Sequence, residues 1–240
     1  LYKHFFLYFG ALFNIFFLFL MTVTVSLYFI FFQYSKDLPS IQEIKNYQPS
    51  TLSRVYDADG KIIDIFAKQK RIYTPISDMP DLVKEAFISA EDKNFYSHPG
   101  YDAISLVKAI IDAFRGKKLR GASTITQQVM KNFLLSGERT TKRKIKEIIL
   151  ASRIEKIMSK DQILNVYLNE IFLGQGAYGV TAASLKYFNK RLEDLSIGEA
   201  AFLASLPKAP SFYHPIRQKV RAIQRRNFVL KEMRENGYIS

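Results

Sequence analysis

At 240 residues the chain has room for one membrane segment and one globular domain whose core can stand without metals or cross-links. It has no cysteine and only three histidines, His4, His98 and His214, so disulfides and zinc-thiolate sites are excluded, a Ser-His-Asp triad has little to draw on, and carboxylates and cations must carry any chemistry. A formal charge of +13 calls for an anionic partner; with no helix-turn-helix, zinc-finger or RNA-binding signature, the expectation moves from nucleic acid to lipid headgroups and phosphorylated substrates.

Residues 1–4 read as the remnant of a cytoplasmic tail. From Phe5 to Phe32 the sequence is almost wholly apolar and carries no charged side chain. At about 1.5 Å per residue it exceeds the roughly 20 residues needed to cross a bilayer, which predicts a transmembrane helix over residues 5–32. A cleaved signal peptide would show an apolar region of only about 7–15 residues, so an anchor is the preferred reading. Lys3 and His4 before the helix, and Lys36 with Asp37 after it, leave its orientation poorly determined. Residues 33–50, with Pro39 and Pro49, read as a linker, and residues 51–240 as a single catalytic domain.

That domain opens with a predicted β-hairpin, Ser53 to Tyr56 and Lys61 to Phe66 around Asp57-Ala58-Asp59-Gly60. Asp57-x-Asp59 imitates the metal motif of nucleotide-sugar transferases, but a hairpin turn calls for these residues for backbone reasons. From about Asp81 the pattern is helical, broken at glycines and prolines, so the body is predicted to be mainly α.

The first of these helices sets Leu82, Val83, Ala86, Phe87 and Ala90 on one stripe. Glu91 falls at its edge, one turn from Phe87 and Phe95. Glu91 and Asp92 also end that helix, where its dipole disfavours negative charge, and a partly desolvated carboxylate there is a candidate acid or base. His98 reads as a turn or hydrogen-bonding residue. Between Ala103 and Arg120, apolar residues interleave with Lys108, Arg115, Lys117, Lys118 and Arg120, a pattern suited to a membrane interface and nearly as well to an ordinary amphipathic helix.

Gly121-Ala122-Ser123-Thr124-Ile125-Thr126-Gln127-Gln128 opens the next helix, with Lys131 and Asn132 further in. Thr124 and Gln127 fit a capping box, and the same helix N-terminus is a competent phosphate site. In the basic run from Arg139 to Lys146, Arg143 and Glu147 share a helix face that becomes apolar at Leu150, Ala151 and Ile154. Glu147 is thereby directed inward, whereas solvation accounts for about half of the cations.

In this order the clusters resemble the peptidoglycan glycosyltransferase family of bifunctional penicillin-binding proteins and monofunctional transglycosylases. The blocks are EDKNFYSHPG, GASTITQQVMKN, RKIKE, ILNVYLNEIFLGQGAYGV and EAAFLASLPKAPSFYHP, and the similarity runs from about residue 52 to the end. Ala122 departs from the family's usual second glycine, and its methyl group could tighten the loop without removing donors. The hairpin is closer to class A penicillin-binding proteins, whose N-terminal portion this chain resembles.

The resemblance implies a lysozyme-like, mainly helical fold with a head and a membrane-dipping jaw, behind a small N-terminal β-hairpin and a single transmembrane helix. It implies polymerisation of lipid II into β-1,4-linked glycan with release of undecaprenyl pyrophosphate. Glu91 matches the general base and Glu147 the second essential carboxylate. Substrate contacts are assigned to Asp92, Lys108, Ser123, Thr124, Gln127, Gln128, Lys131, Asn132, Arg139, Arg143 and Lys146. No cofactor is required and no protein metal site is expected, although Mg or Mn near Glu91 or the pyrophosphate is compatible. Expected partners are lipid II, the growing glycan-lipid, membrane lipids, a C-terminal transpeptidase domain, other cell-wall synthesis proteins and moenomycin-type inhibitors, but not nucleic acid. The implied location is the bacterial cytoplasmic membrane, single-pass, with the catalytic domain outside. A lysozyme-like hydrolase or lytic transglycosylase is the rival enzyme class, and its substrate would leave the cationic cluster unemployed. A noncatalytic scaffold or DNA-binding protein would leave Glu91 and Glu147 to chance.

Overall fold

A long run of apolar side chains favours the one backbone conformation that pairs every amide within its own segment. In the computed structural model, which describes residues 2–36, 38, 53–56, 62–66, 70–116, 123–134 and 140–240, that run is one helix, α1, spanning Tyr2–Ser35. Its stretch Gly10–Ser35 is long and apolar enough to cross a membrane, with a mean hydropathy of 2.4. The Thr22 and Thr24 hydroxyls donate to the carbonyls of Leu18 and Leu20, so α1 carries little unsatisfied polarity. At its C-terminal end, Arg153 donates to the carbonyl and hydroxyl oxygens of Ser35, joining α1 to the body.

Strands β1 (Ser53–Tyr56) and β2 (Ile62–Phe66) pair antiparallel, with an irregularity between Val55 and Tyr56. The predicted turn, with Asp57 and Asp59, lies outside the described residues, as does most of the 33–50 linker. Two further strands were not anticipated: β3 (Lys70–Arg71) pairs parallel with β4 (Ala177–Tyr178). Two residues are too few to show an alternating pattern.

The rest of the body is mainly helical. It comprises α2 (Asp81–Glu91), α3 (Ala103–Phe114), α4 (Ile125–Leu134), α5 (Thr141–Ile154), α6 (Lys160–Glu170), α7 (Val180–Phe188), α8 (Ile197–Ser205) and α9 (Lys219–Glu235). At its centre is α8, whose Ala200, Ala201, Leu203 and Ala204 are fully buried; their small size lets α2 and α9 pack close on it. Phe87 of α2 meets Tyr167 of α6 edge-on at 6.3 Å, so the helix ending in Glu91 is locked on a second side. Capping boxes start α6, from Ser159 with Gln162, and α8, from Ser196 with Glu199.

The link from α6 to α7 depends on close backbone approach. Asn169 Oδ1 accepts from the Thr74 amide at 2.9 Å and its Nδ2 donates to the Thr74 carbonyl at 2.9 Å, tying the α6 end to the strand region. Gly179 passes against this residue at φ +80°, where a Cβ would lie 2.5 Å from the Asn169 carbonyl oxygen. Gly179→Ala should therefore cost about 2–3 kcal/mol from strain and overpacking. Gly198→Ala, in open space within α8, should be neutral or stabilising by about 0.5–1 kcal/mol. Denaturant unfolding followed by circular dichroism checks both, and equal midpoints for the two variants would contradict this account.

Candidate active site

The site is built where α2 ends. Asp92 caps that helix, and its carboxylate turns inward to a depth of 8% exposure. His98 Nε2 lies 2.9 Å from both Asp92 oxygens, and the Ile125 amide at the start of α4 donates to Oδ2 at 3.0 Å. Thr124 donates to the Gly100 carbonyl at 2.7 Å and accepts from the Gln127 amide at 3.2 Å. These bonds bear on two expectations. Asp92 has its oxygens engaged within the protein, where they join the end of α2 to the turn after it and to the start of α4. The Ile125 and Gln127 amides are likewise taken by Asp92 and Thr124, so an anion beside α4 meets side chains instead of those two donors.

Glu91, the last residue of α2, has a side chain only 12% exposed. Gln128 Nε2 donates to its Oε2 at 2.9 Å, while Oε1 makes no hydrogen bond and lies 3.6 Å from an Arg225 guanidinium nitrogen of α9. Burial pushes the Glu91 carboxyl above its ordinary range. The Gln128 hydrogen bond and the Arg225 and Lys208 cations offset that rise in part, and the Asp92 charge adds to it. Phe95 follows α2 in the turn and is fully buried, and Phe87 is buried on α2 itself.

Glu147 on α5 has a side chain 4% exposed and is flanked by two cations. Arg143 Nε lies 3.0 Å from Oε1 and Lys144 Nζ 3.1 Å from Oε2. Lys144 also donates to Ser123 Oγ at 2.7 Å and to Gln127 Oε1 at 2.8 Å. The reciprocal half of the predicted capping box is thus not made: the Gln127 side chain turns to the Lys144 ammonium, which offers a stronger, charge-assisted bond. Consecutive residues of α4 thereby serve the two carboxylates, Gln128 directly and Gln127 through Lys144.

Glu91, Glu147, Ser123, Gln127, Gln128 and Arg143 are brought together in this way, with Asp92 and Thr124 supporting them. Lys131 and Asn132 are exposed at the far end of α4, Lys146 is half-buried on α5, and Lys108 is exposed on α3. Arg139 lies outside the described residues. Sequence reasoning did not single out Lys144, Arg225 or Tyr167, whose buried hydroxyl makes no hydrogen bond. Lys144 carried a signal, three residues before Glu147 on a helix, but was one cation among many. Among the described residues no group of three His, Asp or Glu side chains could hold a metal ion. A cavity of about 390 Å³ between α7, α8 and α9 includes neither carboxylate.

The transglycosylase family model matches residues 59–234. Penicillin-binding protein 1A of Rickettsia prowazekii (strain Madrid E) is 47% identical over 216 residues, covering 88% of this chain and 27% of that protein. Its counterpart from Aquifex aeolicus (strain VF5) is 48% identical over 206 residues, covering 85% of this chain and 28% of that one. The chain thus spans about a quarter of the length of these curated relatives. A crystal structure of penicillin-binding protein 1A from Haemophilus influenzae is similar at 28% identity and a TM-score of 0.44, covering 81% of this chain and 19% of that one.

Because folding raises the Glu91 pKa, the stability this group contributes is fully present below its unfolded pKa and is lost as pH rises through the folded one. Glu91→Gln, an uncharged isostere, should therefore melt at or above the wild-type temperature at neutral pH and converge with it in acid. Paired thermal melts at neutral and acid pH test this. A variant markedly less stable than wild type at neutral pH would show that the ionised carboxylate is a structural requirement.

Proposed function

Because the chain belongs to the transglycosylase family, we propose that it is a peptidoglycan glycosyltransferase that polymerises lipid II into β-1,4-linked glycan strands. The observation that carries this reading is a desolvated carboxylate, Glu91, beside a separate cluster in which cations converge on Glu147. Glu91 Oε1 makes no hydrogen bond within the protein, so it can accept the proton of the acceptor 4-hydroxyl as that oxygen attacks the donor anomeric carbon. The bond from that carbon to the pyrophosphate breaks with its electron pair moving to the leaving oxygen. Attack from the opposite face turns an α-linked donor into a β-linked product without a covalent glycosyl-enzyme. A pyrophosphate needs positioned positive charge rather than a strong acid, which Lys144, Arg143, Lys131 and Arg139 would supply. Glu147 holds the first two of these in place.

A Mg or Mn ion would be coordinated largely by pyrophosphate oxygens, since Glu91 and Glu147 each already face a cation. No step here needs one. The membrane-dipping jaw is assigned to α3, where Ile104 (81% exposed), Val107 and Ile111 stand in solvent with Lys108 also exposed. With α1 spanning the bilayer, the catalytic domain would lie on the outer face, followed in the full-length protein by a transpeptidase domain. The hydrolase reading has no comparable support, because its polymer substrate carries no pyrophosphate for the cations to meet.

With labelled lipid II, Glu91→Gln should cut turnover by ~10²–10⁴ while substrate binding persists. Lys131→Ala and Arg139→Ala should each lose about 3 kcal/mol of transition-state stabilisation, and Lys117→Ala much less. Gel separation of the glycan products measures this. Polymerisation by Glu91→Gln within a few-fold of wild type, or shortening of preformed glycan by the wild-type chain, would overturn the proposal.

A further inference from the structure

We propose that Arg225 is a positioning residue for Glu91, its guanidinium acting as the fixed counter-charge that orients the carboxylate as a base; this rests on the reading of Glu91 given above. One guanidinium nitrogen lies 3.6 Å from Glu91 Oε1, and both side chains are 12% exposed. That nitrogen also reaches the Ala90 carbonyl at 3.5 Å, at the negative end of the α2 dipole. The guanidinium stacks over Phe228 at 4.6 Å, so its plane is set from within α9. Oε2 belongs to Gln128 and Oε1 faces Arg225, which leaves the carboxylate little freedom to rotate.

The separation has a chemical use. At 3.6 Å, without hydrogen-bond alignment to Oε1, Arg225 favours the ionised carboxylate while leaving a lone pair open to a proton. A guanidinium holds its protons at any working pH, so it supplies charge without giving a proton to the carboxylate or taking one from a substrate. The other groups facing Glu91 cannot substitute. Asp92 is bound to His98 and the Ile125 amide, and Gln128 is uncharged. The buried Tyr167 hydroxyl is held neutral, its pKa driven far up by burial, and Lys208 is exposed on the segment after α8. Among the described residues Arg225 is the buried cation that meets this carboxylate.

The test measures kcat and KM for lipid II across pH with the 240-residue chain in detergent, as wild type, Arg225→Gln, Arg225→Lys, Lys208→Gln and Glu91→Gln. Removing an opposite charge this close disfavours ionisation, so in Arg225→Gln the acid limb of kcat should move up by about one pH unit. Its kcat at neutral pH should fall by roughly tenfold and recover toward alkaline pH, with KM little changed. Arg225→Lys should keep the limb near its wild-type position at a reduced kcat, and Lys208→Gln should move it less than Arg225→Gln. A folded Arg225→Gln that loses the same factor at every pH, with its limb unmoved, overturns the proposal while an inactive Glu91→Gln leaves the base assignment standing. An active Glu91→Gln removes both. If circular dichroism shows that Arg225→Gln fails to fold, Arg225→Lys decides: a limb at the wild-type position supports the proposal, and a displaced one overturns it.

Discussion

The bonds around the Asp92 carboxylate set the register on which the site depends. They join the end of α2, the turn carrying His98 and the start of α4, pieces of chain that no helix or sheet ladder connects. A buried carboxylate is expensive unless it is fully engaged, and here its engagement is what locates the neighbours. Glu91 precedes Asp92 in the chain, and Gln128 lies three residues after Ile125, so fixing Asp92 on the Ile125 amide also brings Gln128 onto Glu91.

Electrostatics divides the site into two halves. Glu91 is buried with one cation that stands off from it, which keeps the carboxylate available to a proton. Glu147 is buried between two cations at close range and so acts as the anchor for a local surplus of positive charge. Identical carboxyl chemistry is thus set in two different ways, one carboxylate with an oxygen free of hydrogen bonds and one held between two cations, through environment alone. Within the basic run of α5, Arg143 and Lys144 are the cations that one acid, Glu147, organises.

What could be read from the sequence was what lies within one helix. The 3.6-residue period marks Glu91 at the edge of the apolar stripe carrying Phe87, and it directs Glu147 inward with Leu150 and Ile154, and all three neighbours are buried. Arg225 and Tyr167 reach the same place from α9 and α6, and no local pattern signals that the chain will fold them there. Gln127 was legible as a capping residue but not as the partner of Lys144, because propensity cannot anticipate an ammonium from another helix competing for the same amide oxygen. The Ser159-x-x-Gln162 and Ser196-x-x-Glu199 starts carried the same capping signature as Thr124 and make both halves of it; Glu199 does so while also pairing with Lys190, because a carboxylate has lone pairs enough for both. The β3–β4 pair was beyond reach because each strand is only two residues long and its partner lies far away in the chain, beside the Asn169–Thr74 bonds.

The adjacency of Gln127 and Gln128 makes α4 a mechanical linkage. Successive residues of an α-helix point about 100° apart, so two contacts made by neighbouring side chains leave the helix in roughly perpendicular directions and share one rotational setting. The rotation of α4 that sets Gln128 on Glu91 is thus the same one that sets Gln127 on Lys144. The two halves of the site are therefore carried by one helix whose start is fixed by the Asp92–Ile125 bond, so the placement of one side chain pair sets that of the other.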